Sequence, residues 1–71
     1  MLEQVKVAYG KVLRLEDEGY NFDELMDELD EFLEDNSNLT ELYDKFLSEI
    51  ELSNAECTIL VAAFDVFVAE F

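Results

Sequence analysis

Residues 21–35 read NFDELMDELDEFLED, and this stretch gives the clearest indication of the fold class. Asn21 and Glu24 have the spacing of a capping box, which predicts a helix from about Phe22 to Asp35. Successive helix residues are rotated by about 100°, so the apolar residues of this stretch share one face and the acidic residues share the other. The apolar face is formed by Phe22, Leu25, Met26, Leu29, Phe32 and Leu33.

Two further capping-box patterns predict two more helix starts. Residues 38–41 read NLTE and residues 53–56 read SNAE. The first predicts a helix over residues 39–51, joined to the preceding helix by residues 36–38. Because that connection is short, the two helices are expected to pack as an antiparallel hairpin. The predicted core stripe of the later helix is Leu39, Leu42, Tyr43, Phe46, Leu47 and Ile50.

The first eighteen residues allow two interpretations. A helix is favoured because five apolar residues recur at helical spacing and Gly19 is a suitable C-terminal stop. The alternation at residues 5–7 and the glycine at position 10 leave a short β-hairpin as the alternative. The shared face of the predicted helix consists of Leu2, Val5, Tyr9, Val12 and Leu13.

The last segment, residues 55–71, is apolar on nearly every side of a helix. Such a helix is typical of a buried position, yet four short helices cannot easily enclose one completely. Either it is an unusually apolar core helix, or one of its faces contacts a partner or a second copy. One face holds Ile59, Ala62, Val66 and Ala69. The other, to which a homodimer contact is assigned, holds Leu60, Phe64, Phe67 and Phe71.

Length and composition predict one domain over residues 1–71, an all-α bundle of three to four short helices. Nineteen residues are Asp or Glu and four are Lys or Arg, which gives a formal charge of -15. A chain that is 51% hydrophobic is too apolar for a disordered acidic tail. The shortage of basic residues argues against direct binding to nucleic acid or to an anionic membrane.

The residue types also argue against catalysis, metal ions and cofactors. The chain has no histidine, and its only cysteine, Cys57, cannot form an internal disulfide. A calcium loop starting at Asp35 would place Leu39 at a ligand position and Thr40 where glycine is needed. We therefore expect no enzyme activity, no metal and no cofactor, and a reducing cytoplasm as the location.

The distribution of charge is the main indication of function. Between residues 16 and 35, eleven of twenty residues are acidic and none is basic. Like charges four residues apart destabilise a helix by about 0.2–0.5 kcal/mol per pair, and solubility alone requires far less charge. A surface that binds a basic protein explains this pattern, with a merely solubilising face as the alternative. The predicted contact residues are Glu16, Asp17, Glu18, Asp23, Asp27, Glu28, Asp30, Glu31, Glu34 and Asp35.

In its size and in the carboxylates of residues 16–35, the chain resembles the small acidic DNA-mimic inhibitors of phages and mobile elements, such as anti-CRISPR and anti-restriction proteins. The resemblance implies an inhibitor that occupies the DNA-binding surface of a nuclease or a CRISPR effector complex in the host cytoplasm. The chain is also similar to antitoxins and nuclease-immunity proteins, which are small, acidic and directed at a basic enzyme. The alternative function is an interaction or assembly module that uses the apolar last helix.

Overall fold

The computed structural model describes residues 2–71, apart from the side chain of Ser37, and these residues form a bundle of short helices. Helix α1 spans Leu2–Leu13, α2 spans Phe22–Glu34, α3 spans Ser37–Leu47 and α4 spans Asn54–Ala69, and a 3₁₀ helix covers Glu16–Glu18. The predicted all-α class is confirmed. Within the described residues no strand is present, so the β-hairpin alternative for the first segment is wrong.

The four helices share one core, to which α4 contributes most. Helix α4 packs against α1 and α3, and α3 also packs against α2. Phe64 of α4 is fully buried, and its ring centroid lies 5.5 Å from that of Tyr9, 6.0 Å from Tyr43 and 6.4 Å from Phe46. The hydroxyls of Tyr9 and Tyr43 are hydrogen-bonded at 3.0 Å. Burial, followed by this hydrogen bond, raises the pKa of Tyr43.

Two of the three predicted helix starts are confirmed by their hydrogen bonds. The side chain of Asn21 accepts from the backbone amides of Asp23 and Glu24, at 2.9 and 3.2 Å. Ser53 and Glu56 form a complete capping box, in which each side chain accepts from the other residue's backbone amide, at 3.2 and 3.0 Å. These bonds pair amides that have no acceptor within the first helical turn.

Helix α3 begins and ends earlier than the sequence pattern predicted. Its N-cap is Asn36, which accepts from the amide of Asn38 at 3.0 Å. Asparagine is an equally good cap at either position, so the pattern could not distinguish them. The helix ends at Leu47 because Glu49 adopts a left-handed backbone conformation, with φ of 60°. The end of the predicted core stripe is therefore wrong, since Leu47 and Ile50 are 52% and 54% exposed.

The favoured helix over the first segment is confirmed, with a different end and a partly different buried face. After α1, the chain continues into the 3₁₀ helix, which Gly19 closes with φ of 108°. The amide of Tyr20 completes this turn by donating to the carbonyl of Leu15 at 3.3 Å. The buried residues are Val5, Ala8, Val12 and Leu15, whereas Leu2 and Leu13 are exposed.

The structure corrects the face of α4 that was assigned to self-association. Leu60, Phe64 and Phe67 are at most 3% exposed and belong to the core, and only Phe71 of that set is exposed, at 40%. The physical reason is side-chain size, because inward-facing Leu and Phe remove more apolar area from water than Ala and Val would. The opposite face of α4 is the one that meets solvent. In the part of the chain described, no helix is both long and apolar enough to cross a membrane.

Candidate acidic binding surface

The packing of α2 determines which way its carboxylates point. Leu25, Leu29 and Leu33 are at most 2% exposed, and they anchor one side of the helix in the core. Phe22, which was predicted on the same face, is 40% exposed at the first position of the helix. Because the leucines recur every four residues, the acidic residues between them lie on the opposite arc.

All ten acidic residues predicted to contact a partner lie at solvent-exposed positions. The first three form the 3₁₀ helix, six belong to α2, and the last is the C-cap of α2. We call these ten residues the acidic surface: Glu16, Asp17, Glu18, Asp23, Asp27, Glu28, Asp30, Glu31, Glu34 and Asp35.

No Lys or Arg of the described residues forms an ion pair with the acidic surface. Residues 15–44 contain neither Lys nor Arg. The ion pairs formed by the described residues are Lys11–Asp65 at 3.9 Å and Lys45–Glu56 at 3.4 Å, and neither involves the acidic surface. The negative end of the α2 dipole adds to the field near its C-terminus. The charge therefore remains available to attract a positively charged partner.

A groove beside the acidic surface was not predicted from the sequence. It lies between the second half of α2 and the end of α4, is open to solvent and has a volume of about 810 Å³. The ring of Phe67 lies 5.5 Å from that of Phe32 and 5.0 Å from that of Phe71, measured between centroids. We call this the aromatic groove, and it is lined by Phe32, Phe67, Phe71, Glu28, Glu31, Glu34, Asp35 and Glu70.

The aromatic groove combines residues that the sequence assigned to two different sites. Four residues of the acidic surface line it together with Phe67 and Phe71 of the predicted self-association face. The remaining residues of the acidic surface do not line it. Aromatic rings bordered by carboxylates suit an arginine or lysine side chain, because the cation contacts both charge and ring face while its stem covers apolar surface.

No group of three or more His, Cys, Asp or Glu residues is placed to hold a metal ion in the described residues. Cys57 is a buried free thiol. The hydrogen bonds from Ser53 lower the pKa of Glu56, with a smaller contribution from Lys45. That carboxylate serves the capping box of α4 and not the acidic surface.

Comparison with known proteins gives no relative: no protein-family model, no curated protein and no solved structure matches this chain.

Proposed function

We propose that the protein is an inhibitor that binds a basic nucleic-acid-binding protein through the acidic surface and blocks its access to DNA. The partner class that fits is a nuclease or a CRISPR effector complex, whose DNA groove is positively charged. The observation that carries the proposal is a set of ten exposed carboxylates, none of which forms an ion pair with a Lys or Arg of the described residues. Such a surface and DNA would be attracted by the same groove.

The density of charge along α2 supports mimicry of nucleic acid. Eight residues from Phe22 to Asp35 are acidic, and these fourteen residues, the helix with its C-cap, span about 21 Å at about 1.5 Å each. The mean spacing is therefore one charge per about 2.6 Å of axis, whereas B-DNA carries one per about 1.7 Å counting both strands and one per about 3.4 Å on each strand. A protein groove built for phosphates would meet a similar density on α2.

The aromatic groove supplies the contact that charge alone does not provide. Long-range attraction mainly raises the rate of association and determines which partner is selected. Most binding energy in protein complexes comes from a few well-packed, desolvated side chains, often arginine or aromatic residues. An arginine of the partner that enters the groove would contact Phe32 and Phe71 and pair with Glu31. DNA phosphates offer no such apolar contact, so this groove would favour the inhibitor in competition.

The first experiment is capture of the partner with the tagged protein from a prokaryotic lysate, at low and at moderate salt, with identification by mass spectrometry. We expect one basic nucleic-acid-binding protein that duplex DNA displaces and that higher salt weakens. The purified partner should then lose DNA binding in proportion to the amount of inhibitor added. A captured partner that keeps its DNA while bound to this protein would contradict the proposal.

Two double variants of equal charge test the site. Asp27→Lys with Glu34→Lys alters the acidic surface, whereas Glu3→Lys with Glu51→Lys alters exposed residues outside it. Each reversal adds two units, so both variants move the net charge from -15 to -11. We expect the first variant to lose partner binding at least about tenfold, equivalent to about 1.4 kcal/mol, and the second to keep it. Equal losses would show that total charge and not this surface is responsible.

A further inference from the structure

Helix α4 presents an apolar face to solvent on the side away from the core. Its five apolar residues fall within an arc of about 80° at 3.6 residues per turn. Ile59 and Val66 are 47% and 51% exposed, although both are large aliphatic residues. We call this the outer face of α4, and it consists of Ala55, Ile59, Ala62, Val66 and Ala69.

Helix α1 extends the outer face on one side. Val7 is 62% exposed, the largest value for a big apolar side chain in the described residues. A shallow groove of about 480 Å³ separates the two helices at this point, with Val7 and Val61 on its apolar part. Lys11 and Asp65 also line it and form the 3.9 Å ion pair between α1 and α4. Glu3 and Gln4 complete its lining, so the combined surface has an apolar centre with one basic and two acidic residues at its edge.

The distribution of charge over the chain limits what can cover this surface. Residues 2–14 and 54–71 carry three basic and four acidic residues, whereas residues 15–53 carry one basic and fifteen acidic residues. A basic protein would be drawn to the acidic part and not to this nearly neutral one. For two copies of a chain with charge -15, the nearly neutral part is where they repel each other least.

We propose that the outer face of α4, with Val7, is the contact between two copies of this protein. A two-fold contact is self-complementary, and the Lys11–Asp65 pair within each copy offers one charge of each sign that the same pair of the other copy can face. A typical stable interface buries about 800 Å² on each partner, which is one-sixth of the 4774 Å² surface of this chain. No residue of the acidic surface belongs to the outer face, so the dimer carries two exposed acidic surfaces.

The dimer and the proposed inhibition respond to salt in opposite directions. Two copies of like charge associate through apolar residues, and salt weakens their repulsion because the Debye length falls from about 30 Å at 0.01 M to about 8 Å at 0.15 M. Dimerisation therefore strengthens as salt is added. Binding of a basic partner weakens over the same range. Because the two surfaces share no residue, either proposal can fail without the other.

The test is the molar mass in solution, measured by sedimentation equilibrium at 0.02 and 0.3 M NaCl over a range of protein concentrations. The monomer mass is 8.2 kDa. We expect the measured molar mass to approach twice that figure as the protein concentration rises. This rise should occur at a lower protein concentration in 0.3 M NaCl than in 0.02 M NaCl. A mass of 8.2 kDa under every condition would overturn the proposal and leave the outer face to a different protein.

The matched variants are Ile59→Glu and Ile50→Glu, an identical change at positions that are 47% and 54% exposed. Ile59 lies on the outer face, whereas Ile50 lies beyond the end of α3. We expect Ile59→Glu to raise the dissociation constant of the dimer at least tenfold and Ile50→Glu to leave it unchanged. Circular dichroism checks that both variants remain folded. If the two substitutions raised the dissociation constant equally, or if neither raised it, the assignment would be overturned.

If Ile59→Glu unfolds the protein, disulfide crosslinking of an Ala62→Cys variant tests the contact in its place. Ala62 lies in the middle of the outer face, and the native Cys57 is only 1% exposed and does not compete. Mild oxidation should convert this variant into a disulfide-linked dimer. Ser48→Cys, which lies off the outer face, should remain monomeric under the same conditions and over the same time. Equal or absent crosslinking in the two variants would count against the proposed contact.

Discussion

Glu31→Lys should make the protein more stable and at the same time impair it as an inhibitor. Glu31 is exposed on α2 and has acidic residues at all four neighbouring helix positions. Asp27 and Asp35 are four residues away, and Glu28 and Glu34 are three residues away. A lysine here turns four repulsive pairs into attractive ones, and its charge also suits the C-terminal half of a helix.

The size of the effect follows from the number of pairs. Each pair four residues apart changes from a repulsion to an attraction of about 0.2–0.5 kcal/mol, a difference of about 0.4–1 kcal/mol. The pairs with Asp27 and Asp35 together raise the free energy of unfolding by about 1–2 kcal/mol at low salt. In a domain of this size about 1 kcal/mol corresponds to about 4–8 °C in Tm.

The assay is thermal unfolding followed by circular dichroism, in 0.02 and 0.5 M NaCl. The gain in Tm should be largest at low salt and shrink at high salt, because ions screen the pairs. Glu31→Gln removes the repulsion without adding attraction, so it should give about half the gain. An unchanged or lower Tm for Glu31→Lys at low salt would refute the argument that these carboxylates repel one another.

The binding measurement on the same variant separates function from solubility. If the acidic surface binds the partner, the more stable Glu31→Lys protein should bind it more weakly, since Glu31 also lines the aromatic groove. Stability gained with binding lost is the pattern expected where charges are retained for function. Full binding by the stabilised variant would favour the solubilising alternative.

Four further variants test the fold. Gly10→Ala should raise the free energy of unfolding by about 0.5–1 kcal/mol, since an added Cβ inside α1 meets nothing within 4 Å. Gly19→Ala should lower it by about 1–2 kcal/mol, because residue 19 has a φ of 108°. Urea titration measures both changes. Phe64→Ala should lower it by about 3–5 kcal/mol, a large part of the about 5–15 kcal/mol that is typical of native proteins, as the same titration would show. The lowered pKa of Glu56 means that its bonds with Ser53 stabilise the fold above the usual pKa of 4.5 and are lost as pH falls through the lowered value. The Tm difference between wild type and Glu56→Gln should accordingly be present at pH 7 and vanish in acid.

Local signals in the sequence were sufficient where each residue acts on its own neighbours. The caps at Asn21 and Ser53 need only residues two or three positions away, so they could be recognised before any fold was known. The alternation of leucines and carboxylates in α2 likewise predicts which side meets water. The acidic surface was therefore accessible from the sequence, together with its exposure.

Features that depend on distant packing could not be obtained in this way. Helix α4 is apolar on nearly every side, so its own pattern does not say whether Phe64 or Val66 faces inward. That choice depends on how much area the other three helices cover, and they enclose the larger side chains. The aromatic groove requires Phe71 and Glu31, forty residues apart in the chain, to line the same part of the surface. Periodicity and capping thus account for the helices and the charged face, whereas the buried side of α4 and the groove arise from contacts among helices that no local pattern encodes.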